Sequence, residues 1–476
     1  MKQKQSALSG AQQHFSSGKL AAAIDRRLAY RTESQEAQQL PLLQSYLSDE
    51  LEPVLQELGF SCQIFPNPIS GAGPILFAQR HEDPAYLTLL TYGHGDVVRG
   101  YDEQWEVGLD PWKLTVKNDK WYGRGTADNK GQHSINLAAL EEVLRARNGK
   151  LGYNVKCLFE MGEEMGSPGL REFCVQHTAL LKSDVFIASD GPRLCTSQPT
   201  MFLGSRGAVL FELSVNLRET GLHSGNWGGL IRNPATILAN ALGSIVDHNG
   251  CIKIAELLPP SIPASVKKAL SKLSITDELM GRQIDSSWGE PGLSAAERVL
   301  GWNVLEILAF TSGNPARPVN AIPPTAKAFC QLRFVVGTRW QELEQILRRH
   351  LDQHHFECVD IHVSRGAAAT RLDPDSVWVK WAEQSMASVV DPKSIAIMPN
   401  LGGTLPNDVF SDILGLPTIW IPHSYPGCGQ HAANEHMLGS IAEQAMLIMT
   451  SLFWDLGEVA LSDIEQHDAV CNAGTD

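Results

Sequence analysis

The sequence predicts an α/β fold with two domains, the second inserted into the first. Apolar runs of strand length alternate with a helical pattern from about residue 60 to residue 190. The pattern then changes to half-exposed strands, and a buried strand-like run returns only at 416–422. Such alternation is typical of a mixed, largely parallel sheet with helices on both faces. A chain of 476 residues is also long enough for two domains with large buried interiors.

The first domain begins with three predicted strands, "CQIF", "PILFAQR" and "YLTLLTYGH". Segment 131–147 is predicted to be a helix because Ile135, Ala139 and Val143 recur at the helical period. Two more apolar runs, "NVKCLFEMGEE" and "SDVFIASD", and the later run "LPTIWIP" are predicted to be buried strands. We assign 1–206 and 390–476 to this discontinuous domain.

The inserted domain, 207–389, is predicted from a second pattern. The segments "AVLFELSVNLRE" and "TAKAFCQLRFVV" alternate as half-exposed strands, "NPATILANALGSIVD" and "RWQELEQILRRH" have a helical period, and the strand "ECVDIHVS" closes the series. The order β-α-β-α-β indicates a small α+β domain. We interpret segment 252–316, with its Pro-rich "LLPPSIP", as an elaboration of that domain.

Charge and composition exclude several classes of protein. The formal net charge is −14, from 39 Lys plus Arg against 53 Asp plus Glu, and no basic run is present, so nucleic acid is not an expected partner. No apolar span reaches about 18 residues and the N-terminus lacks the apolar segment of a secretory signal, so we expect no membrane span and a cytoplasmic location. The nine cysteines are scattered and form no CxxC pair, which argues against a disulfide framework and a thiolate zinc site.

Polar residues at strand ends and in the loops that follow supply the candidate chemistry, because open α/β sheets bind ligands there. An imidazole and carboxylate set suits divalent first-row metal ions. More ligands are present than one tetrahedral site needs, so a bridging carboxylate would supply two ions about 3.5 to 4 Å apart. Asp128, in the glycine-flanked turn "GRGTADNKG", is the expected bridge. The candidates are His94, Asp96, Asp128, Glu163, Glu164, Asp190 and His431.

Two close pairs among these candidates are expected to divide their tasks. Asp96 lies two residues after His94, so in extended backbone both side chains share a face and Asp96 can accept the second ring N–H of His94. Glu163 and Glu164 are adjacent and point in different directions, so one can bind metal while the other transfers protons. A solitary His or Asp on a loop is more often a turn or capping residue, so the prediction depends on the whole set.

These segments resemble the dinuclear zinc exopeptidase family that includes carnosine-type cytosolic dipeptidases, aminoacylases and succinyl-diaminopimelate desuccinylase. The motifs occur in family order: "GHGDVV", "WEVGLDPW", "WYGRGTADNKG", "EMGEEMGS", "IASDG", "GLHSG", "VNAIPPTAKAFCQLRF", "GGTLP" and "HAANEH". The resemblance implies a zinc-exopeptidase-like catalytic domain and a ferredoxin-like insert that serves as lid and dimerisation domain. The chain departs from the pattern at Asn129, where many relatives have a second Asp, and at Ala433, where Pro is frequent.

The resemblance also implies how the metal ligands are shared. Carried over by position, Asp128 bridges the two ions. His94 and Asp190 complete one site, and Glu164 and His431 complete the other. Two divalent metal ions are therefore the expected cofactors, with zinc first and manganese or cobalt as alternatives.

The same resemblance implies the catalytic and substrate-binding residues. Glu163 becomes the general base, and Asp96 supports the catalytic centre. His223 in "GLHSG" corresponds to a histidine that in relatives reaches into the partner subunit's site and polarises the scissile carbonyl, which implies a homodimer. Asn320, Arg333 and Thr404 fall on positions that contact the substrate, and the guanidinium of Arg333 suits a carboxylate.

The predicted function is hydrolysis of a peptide (amide) bond in dipeptides or short peptides by a metal-bridged hydroxide, with Glu163 transferring the proton. By resemblance, Asp190 favours the dipeptidase branch, since deacylases more usually have Glu there. An N-acyl amino acid amidohydrolase, acting on acyl amino acids, is the alternative. A non-catalytic binding protein on the same scaffold is disfavoured, because such proteins usually lose a ligand or the base and this chain retains all of them.

Overall fold

The computed structural model describes residues 2–276, 283–364 and 366–459. The chain forms two compact units. The first comprises the chain up to Leu203, Leu372–Met398 and the chain from Pro406 onward, and the second comprises Gly204–Arg371 and Pro399–Leu405.

The units differ from the predicted domains where the chain returns to the first unit. Helix Val377–Ala387 lies within the predicted insert, 207–389. Its residues Trp378, Ala382 and Met386 are nevertheless buried in the core of the first unit. The return therefore comes at Leu372, earlier than the sequence pattern indicates.

The first unit is built on a mixed sheet. Strands Asn154–Glu160 and Val185–Ala188 both run parallel to Thr88–His94 between them, whereas the strands at one edge are antiparallel. This confirms the predicted fold class. The strands lie in the spatial order Ser61–Phe65, Ile75–Arg80, Asn154–Glu160, Thr88–His94, Val185–Ala188, Thr418–Trp420, Thr200–Phe202 and Ala396–Met398. A smaller sheet contains Thr115–Lys117, Lys120–Tyr122 and His436–Leu438.

Both faces of the main sheet are covered, because successive side chains of a strand point to opposite sides. Val185 and Ile187 pack in the same core as helix Lys130–Ala146. On the other face Phe186 stacks on Phe410, with 4.2 Å between ring centroids. The α-helices of this unit are Lys2–Ser16, Lys19–Leu28, Leu40–Ser45, Glu52–Glu57, Lys130–Ala146, Leu170–Gln176, Thr178–Leu181, Val377–Ala387 and Gly439–Leu456.

The second unit contains an antiparallel sheet in the order Val304–Thr311, Thr325–Phe334, Gly207–Asn216 and Asp360–Val363. With helices Pro234–Ile245 and Leu343–Gln353 the chain order is β-α-β-β-α-β, the ferredoxin-like arrangement. Strand Val304–Thr311 lies inside segment 252–316, so that segment is only partly an elaboration. Shorter elements are helices Ser224–Trp227, Ala264–Leu270 and Ala295–Leu300 and the paired strands Leu222–His223 and Ala321–Ile322.

Within the described part of the chain, no helix combines the length and apolar character needed to cross a membrane. The cytoplasmic location stays a prediction. The cysteines of the described residues are free thiols, and Cys471 lies outside those residues.

Candidate metal centre

Three neighbouring parallel strands bring His94, Glu164 and Asp190 to one edge of the sheet. His94 ends strand Thr88–His94 and is paired in register with Glu160, the last residue of the next strand. Glu163 and Glu164 follow that strand, and Asp190 follows the strand on the other side. Because parallel strands end at the same edge, residues far apart in the chain meet there.

His94, Asp128 and Asp190 form one potential ligand group. His94 Nε2 lies 3.0 Å from Asp128 Oδ1 and 3.7 Å from Asp190 Oδ2. All three side chains are buried. Asp190 Oδ2 has no hydrogen-bond partner among the described residues, so one carboxylate oxygen is buried without a compensating donor.

Asp128, Glu164 and His431 form a second group. His431 Nε2 lies 3.1 Å from Asp128 Oδ2 and 3.1 Å from Glu164 Oε2. Glu164 Oε1 is buried and has no partner within the described ranges. Asp128 therefore turns one oxygen towards each group, which is the geometry of a bridging carboxylate. Gln430, which the sequence did not identify as a site residue, also donates to Asp128 Oδ2.

Both groups fit a divalent ion. Zinc binds imidazole nitrogen and carboxylate oxygen at about 2.0 to 2.2 Å, so two ligand atoms of one tetrahedral ion lie about 3.3 Å apart. The separations of 3.0 to 3.7 Å around His94 bracket that value. A cation would also compensate the unpaired oxygens of Asp190 and Glu164. The side chains thus fit two divalent metal ions that share Asp128.

The centre concentrates negative charge in a buried place. Burial raises the pKa of Glu164 to about 7 and that of Asp190 to about 6, and the charge of Asp128 adds to both shifts. Burial acts in the same direction on Asp128, but hydrogen bonds from His431 and His94 outweigh it and hold its pKa well below the usual range. Hydrogen bonds to Asp128 and Glu164 raise the pKa of His431 to about 10. In the absence of metal, protonated imidazoles thus compensate part of this negative charge.

Asp96 connects the histidine of one group to the loop of the other. Its backbone carbonyl accepts the His94 Nδ1–H at 3.1 Å, and its Oδ1, the acceptor that the sequence predicts, lies 3.3 Å from the same nitrogen. Its two oxygens also accept the backbone N–H groups of Glu163 and Glu164, each at 3.2 Å. One buried residue therefore orients the ring of His94, through its carbonyl and its carboxylate, and holds the turn that carries both glutamates through the carboxylate.

Glu163 lies beside the two ligand groups of the described residues and belongs to neither. It begins the short 3₁₀ turn Glu163–Met165. Burial raises its pKa well above the usual range, and the nearby charges of Asp190 and Asp128 act in the same direction. A carboxyl group with a raised pKa beside a ligand cluster has the properties of an acid–base group.

Another cluster of possible ligands, His14, Glu141 and Glu142, lies outside this centre. Arg145 Nη1 donates to both oxygens of Glu142 at 2.8 Å, and Nη2 donates to Glu141. His14 Nδ1 lies 2.8 Å from Glu142 Oε1. Side-chain charges already compensate these carboxylates, so the cluster is a structural ion-pair network.

The remaining predicted site residues lie in the second unit. His223 and Asn320 are neighbours on a surface that we call the tip, residues 222–230 and 319–322. His223 pairs with Ala321, and the Ser224 backbone N–H donates to the Asn320 carbonyl at 2.9 Å. The His223 side chain is exposed, and its Nδ1 accepts the Gly225 N–H at 3.2 Å.

Arg333 and Thr404 lie together elsewhere in the second unit. Arg333 Nη1 donates to Thr404 Oγ1 at 3.3 Å, and that hydroxyl donates to the Arg206 carbonyl at 3.0 Å. Burial lowers the pKa of Arg206 to about 10, and the neighbouring charge of Arg333 adds to the shift. Arg206 Nη1 is buried and has no partner among the described residues. The second arginine of this pair was not predicted from the sequence.

The chain is similar to known proteins in both sequence and fold. A family model described as Peptidase family M20/M25/M40 matches residues 90–455. Beta-Ala-His dipeptidase of Mus musculus is 35% identical over 193 residues, which cover 40% of this chain and 39% of that protein. Beta-Ala-His dipeptidase of Rattus norvegicus is 26% identical over 409 residues, which cover 81% of this chain and 80% of that protein.

The fold is also found among solved structures. That of human carnosine dipeptidase 1 has a TM-score of 0.71 and 22% sequence identity, and the match covers 95% of this chain and 100% of that chain. At this level of identity the likeness concerns the fold alone.

Proposed function

The chain belongs to peptidase family M20/M25/M40, and we propose that it is a dipeptidase. It uses two divalent metal ions, with zinc as the expected metal, to hydrolyse the peptide bond of dipeptides or short peptides. The observation that carries this proposal is the position of Asp128, whose two oxygens face two separate ligand groups. The curated relatives, which are named as dipeptidases, support the substrate class.

The residues around the ligand groups divide the work of hydrolysis. When bound, two divalent ions lower the pKa of a water molecule and polarise the scissile carbonyl. Glu163 accepts the proton of the attacking water and returns it to the leaving amine. Asp96 accepts the backbone N–H of Glu163 and also holds the ring of His94. Neither Glu163 nor His94 therefore needs to reorganise during the reaction.

The tip completes the site in a homodimer. Leu230 and Val319 are 76% and 77% exposed, and Trp227 is 43% exposed, which is unusual for apolar side chains clustered on one surface. A second copy of this chain would bury them. In such a dimer His223 would donate a hydrogen bond to the carbonyl oxygen of the substrate as negative charge develops on it, and Asn320 would contact the same substrate.

Arg333 and Thr404 bind the free carboxylate of the substrate. Arg206 and Arg333 are close enough to repel each other, and the carboxylate of Glu306 offsets this repulsion at Arg206 only in part. Two guanidinium groups that share one nearby carboxylate favour a further anionic ligand. We therefore expect Arg333→Lys to raise the KM of a dipeptide about tenfold or more while changing the KM of the corresponding dipeptide amide little.

A hydrolysis panel tests the proposed function. The metal-free protein is loaded with zinc, manganese or cobalt and assayed with β-Ala-His, other free dipeptides, the same residues N-acetylated, and dipeptide amides. We expect kcat/KM for free dipeptides to exceed that for N-acetylated amino acids at least about 100-fold. A preference for the N-acetylated compounds would make the protein an amidohydrolase of acyl amino acids. Failure to cleave any of them with all three metals would overturn the proposal.

A further inference from the structure

We propose that Glu435 and Arg124 are positioning residues of the metal centre: their buried ion pair holds the loop of Asp128 against the loop of His431. Neither residue belongs to a ligand group of the described residues. The inference depends on the pair of metal ions and not on which peptide is cleaved. The sequence contains both residues in quoted motifs, "WYGRGTADNKG" and "HAANEH", but gives no sign that they meet.

Glu435 organises the backbone that precedes Asp128. Its Oε1 accepts the N–H groups of Gly125, Ala127 and Asp128, at 3.1, 2.9 and 3.1 Å. Three amides of one irregular loop therefore converge on a single oxygen. Gly125 has a φ of +95°, a conformation that favours glycine, which lets its N–H join the other two.

Arg124 connects the same carboxylate to the loop of His431. Its Nη1 donates to Glu435 Oε2 at 2.7 Å, and its Nη2 donates to the carbonyl of Ala432, the residue after His431, at 2.9 Å. Its Nε donates to the Arg99 carbonyl at 3.2 Å. The pair is almost completely buried, with 1% of each side chain exposed, so water does not compete for these bonds.

The consequence for the metal centre follows from the position of Asp128. Asp128 is shared by both ligand groups, and its own backbone N–H is one of the three that Glu435 holds. A displacement of this loop would change the geometry of both sites. Asp96 has an equivalent role on the other side, where one buried carboxylate holds a turn by two backbone amides and a ligand by its ring. The pair of Arg124 and Glu435 supplies the corresponding support for the bridge.

Metal affinity is the measurement that distinguishes positioning from general stability. Glu435→Gln removes the charge and places an amide N–H₂ against the guanidinium of Arg124. We expect affinity for zinc, measured by competition with a chromophoric chelator, to fall about 10- to 100-fold. Arg124→Lys retains the charge but cannot form all three bonds, and we expect a smaller loss in the same direction.

Glu82→Gln is the matched control. Glu82 also accepts two loop amides, those of Leu151 and Gly152, and pairs with an arginine, Arg80, but it holds no metal-ligand loop. We expect its zinc affinity to stay within about twofold of the wild type even if its melting temperature in EDTA falls as much as that of Glu435→Gln. Wild-type zinc affinity in a folded Glu435→Gln protein would overturn the proposal, as would an equal loss in Glu82→Gln. If Glu435→Gln does not fold, wild-type zinc affinity in Arg124→Lys would overturn the proposal.

Discussion

The metal centre of the first unit and the tip of the second unit each contain a histidine that we assign to the proposed active site, but the two histidines are held in opposite ways. The His94 side chain is completely buried, and its two ring nitrogens face Asp128 and Asp96. His223 is exposed, and its described ring bond is to the backbone two residues away. The contacts of His94 are complete within its own unit. The ring of His223, in contrast, would gain a functional contact only from a substrate or a partner subunit.

The metal centre and the tip also differ in the charge of their side chains. The carboxylates of the metal centre are buried close together, and the pKa of Asp190 is raised mainly by that burial and then by the charge of Asp128. Such a cluster is stabilised by bound cations, so the cluster itself specifies the kind of ion that binds there. The tip instead exposes apolar surface at Leu230 and Val319, which specifies a contact and not a chemistry. Variants of the two regions should therefore fail in different ways.

The largest expected effect comes from breaking the metal centre at its shared ligand. Asp128→Ala removes the only residue that belongs to both ligand groups of this centre. We expect the zinc content, measured by elemental analysis after dialysis, to fall below one ion per chain, and kcat/KM to fall roughly 10,000-fold or more. His223→Ala is the contrasting control and should retain two ions. An Asp128→Ala protein that keeps both ions would show that Asp128 is not the bridge.

A second variant of the first unit separates metal binding from proton transfer. In Glu163→Gln the ligand groups are unchanged, but the side chain can no longer accept a proton. We expect kcat to fall about 100- to 10,000-fold while two zinc ions remain bound. Substantial activity at full zinc content would remove Glu163 from its proposed role.

Mixing two inactive variants sharpens the contrast between the regions. If His223 acts in the site of the partner subunit, a heterodimer of Glu163→Gln and His223→Ala chains contains one site with both defects and one with none. Refolding equal amounts together should restore activity to about a quarter of the wild-type value, since half of the dimers are mixed and each has one intact site. Activity that stays at the level of the separate variants would place His223 in the site of its own chain.

The sequence predicted the metal centre better than the second unit for a physical reason. Strand ends are recognisable from a buried apolar run followed by a polar residue, and His94, Glu164 and Asp190 all occupy such places. Strand Val304–Thr311 is also an apolar run, but its side chains after Leu305 are exposed, so the run does not mark a buried face. Helix Lys2–Ser16 was not predicted either, because it buries mainly small residues such as Ala7 and Ala11 and so lacks a stripe of large apolar residues.

The contacts that support the metal ligands from distant segments could not be predicted. The glutamine at 430 and the pair of Arg124 and Glu435 lie inside recognisable motifs, but their roles depend on loops that meet only in the folded chain. The sequence also placed the end of the insert too late. A helix that buries Trp378 against the C-terminal helix gives the same periodic pattern whichever unit it joins.

The smallest expected effect is a pH dependence that the metal centre should show and the tip should not. In the metal-free protein the pKa of His431 is raised to about 10, so the stability it contributes is complete below about pH 6.5 and is lost as the pH rises towards 10. The pKa of Glu164 is raised to about 7, so between about pH 4.5 and pH 7 the unfolded chain releases its proton first and the folded state is again disfavoured by rising pH. Both effects have the same sign. We expect the melting temperature in EDTA to fall by roughly 3 to 8 °C from pH 6 to pH 8.5.

Zinc reverses this trend, because binding requires the deprotonated ligands and therefore strengthens as the pH rises. The difference in melting temperature between zinc-loaded and metal-free protein should widen over the same pH range. His223→Ala should keep this behaviour, since the tip has no part in the carboxylate cluster, whereas His431→Ala should reduce it. A melting temperature in EDTA that is constant or rises from pH 6 to pH 8.5 would contradict the electrostatic account of the centre. An equal change in both variants would remove the distinction between the two regions.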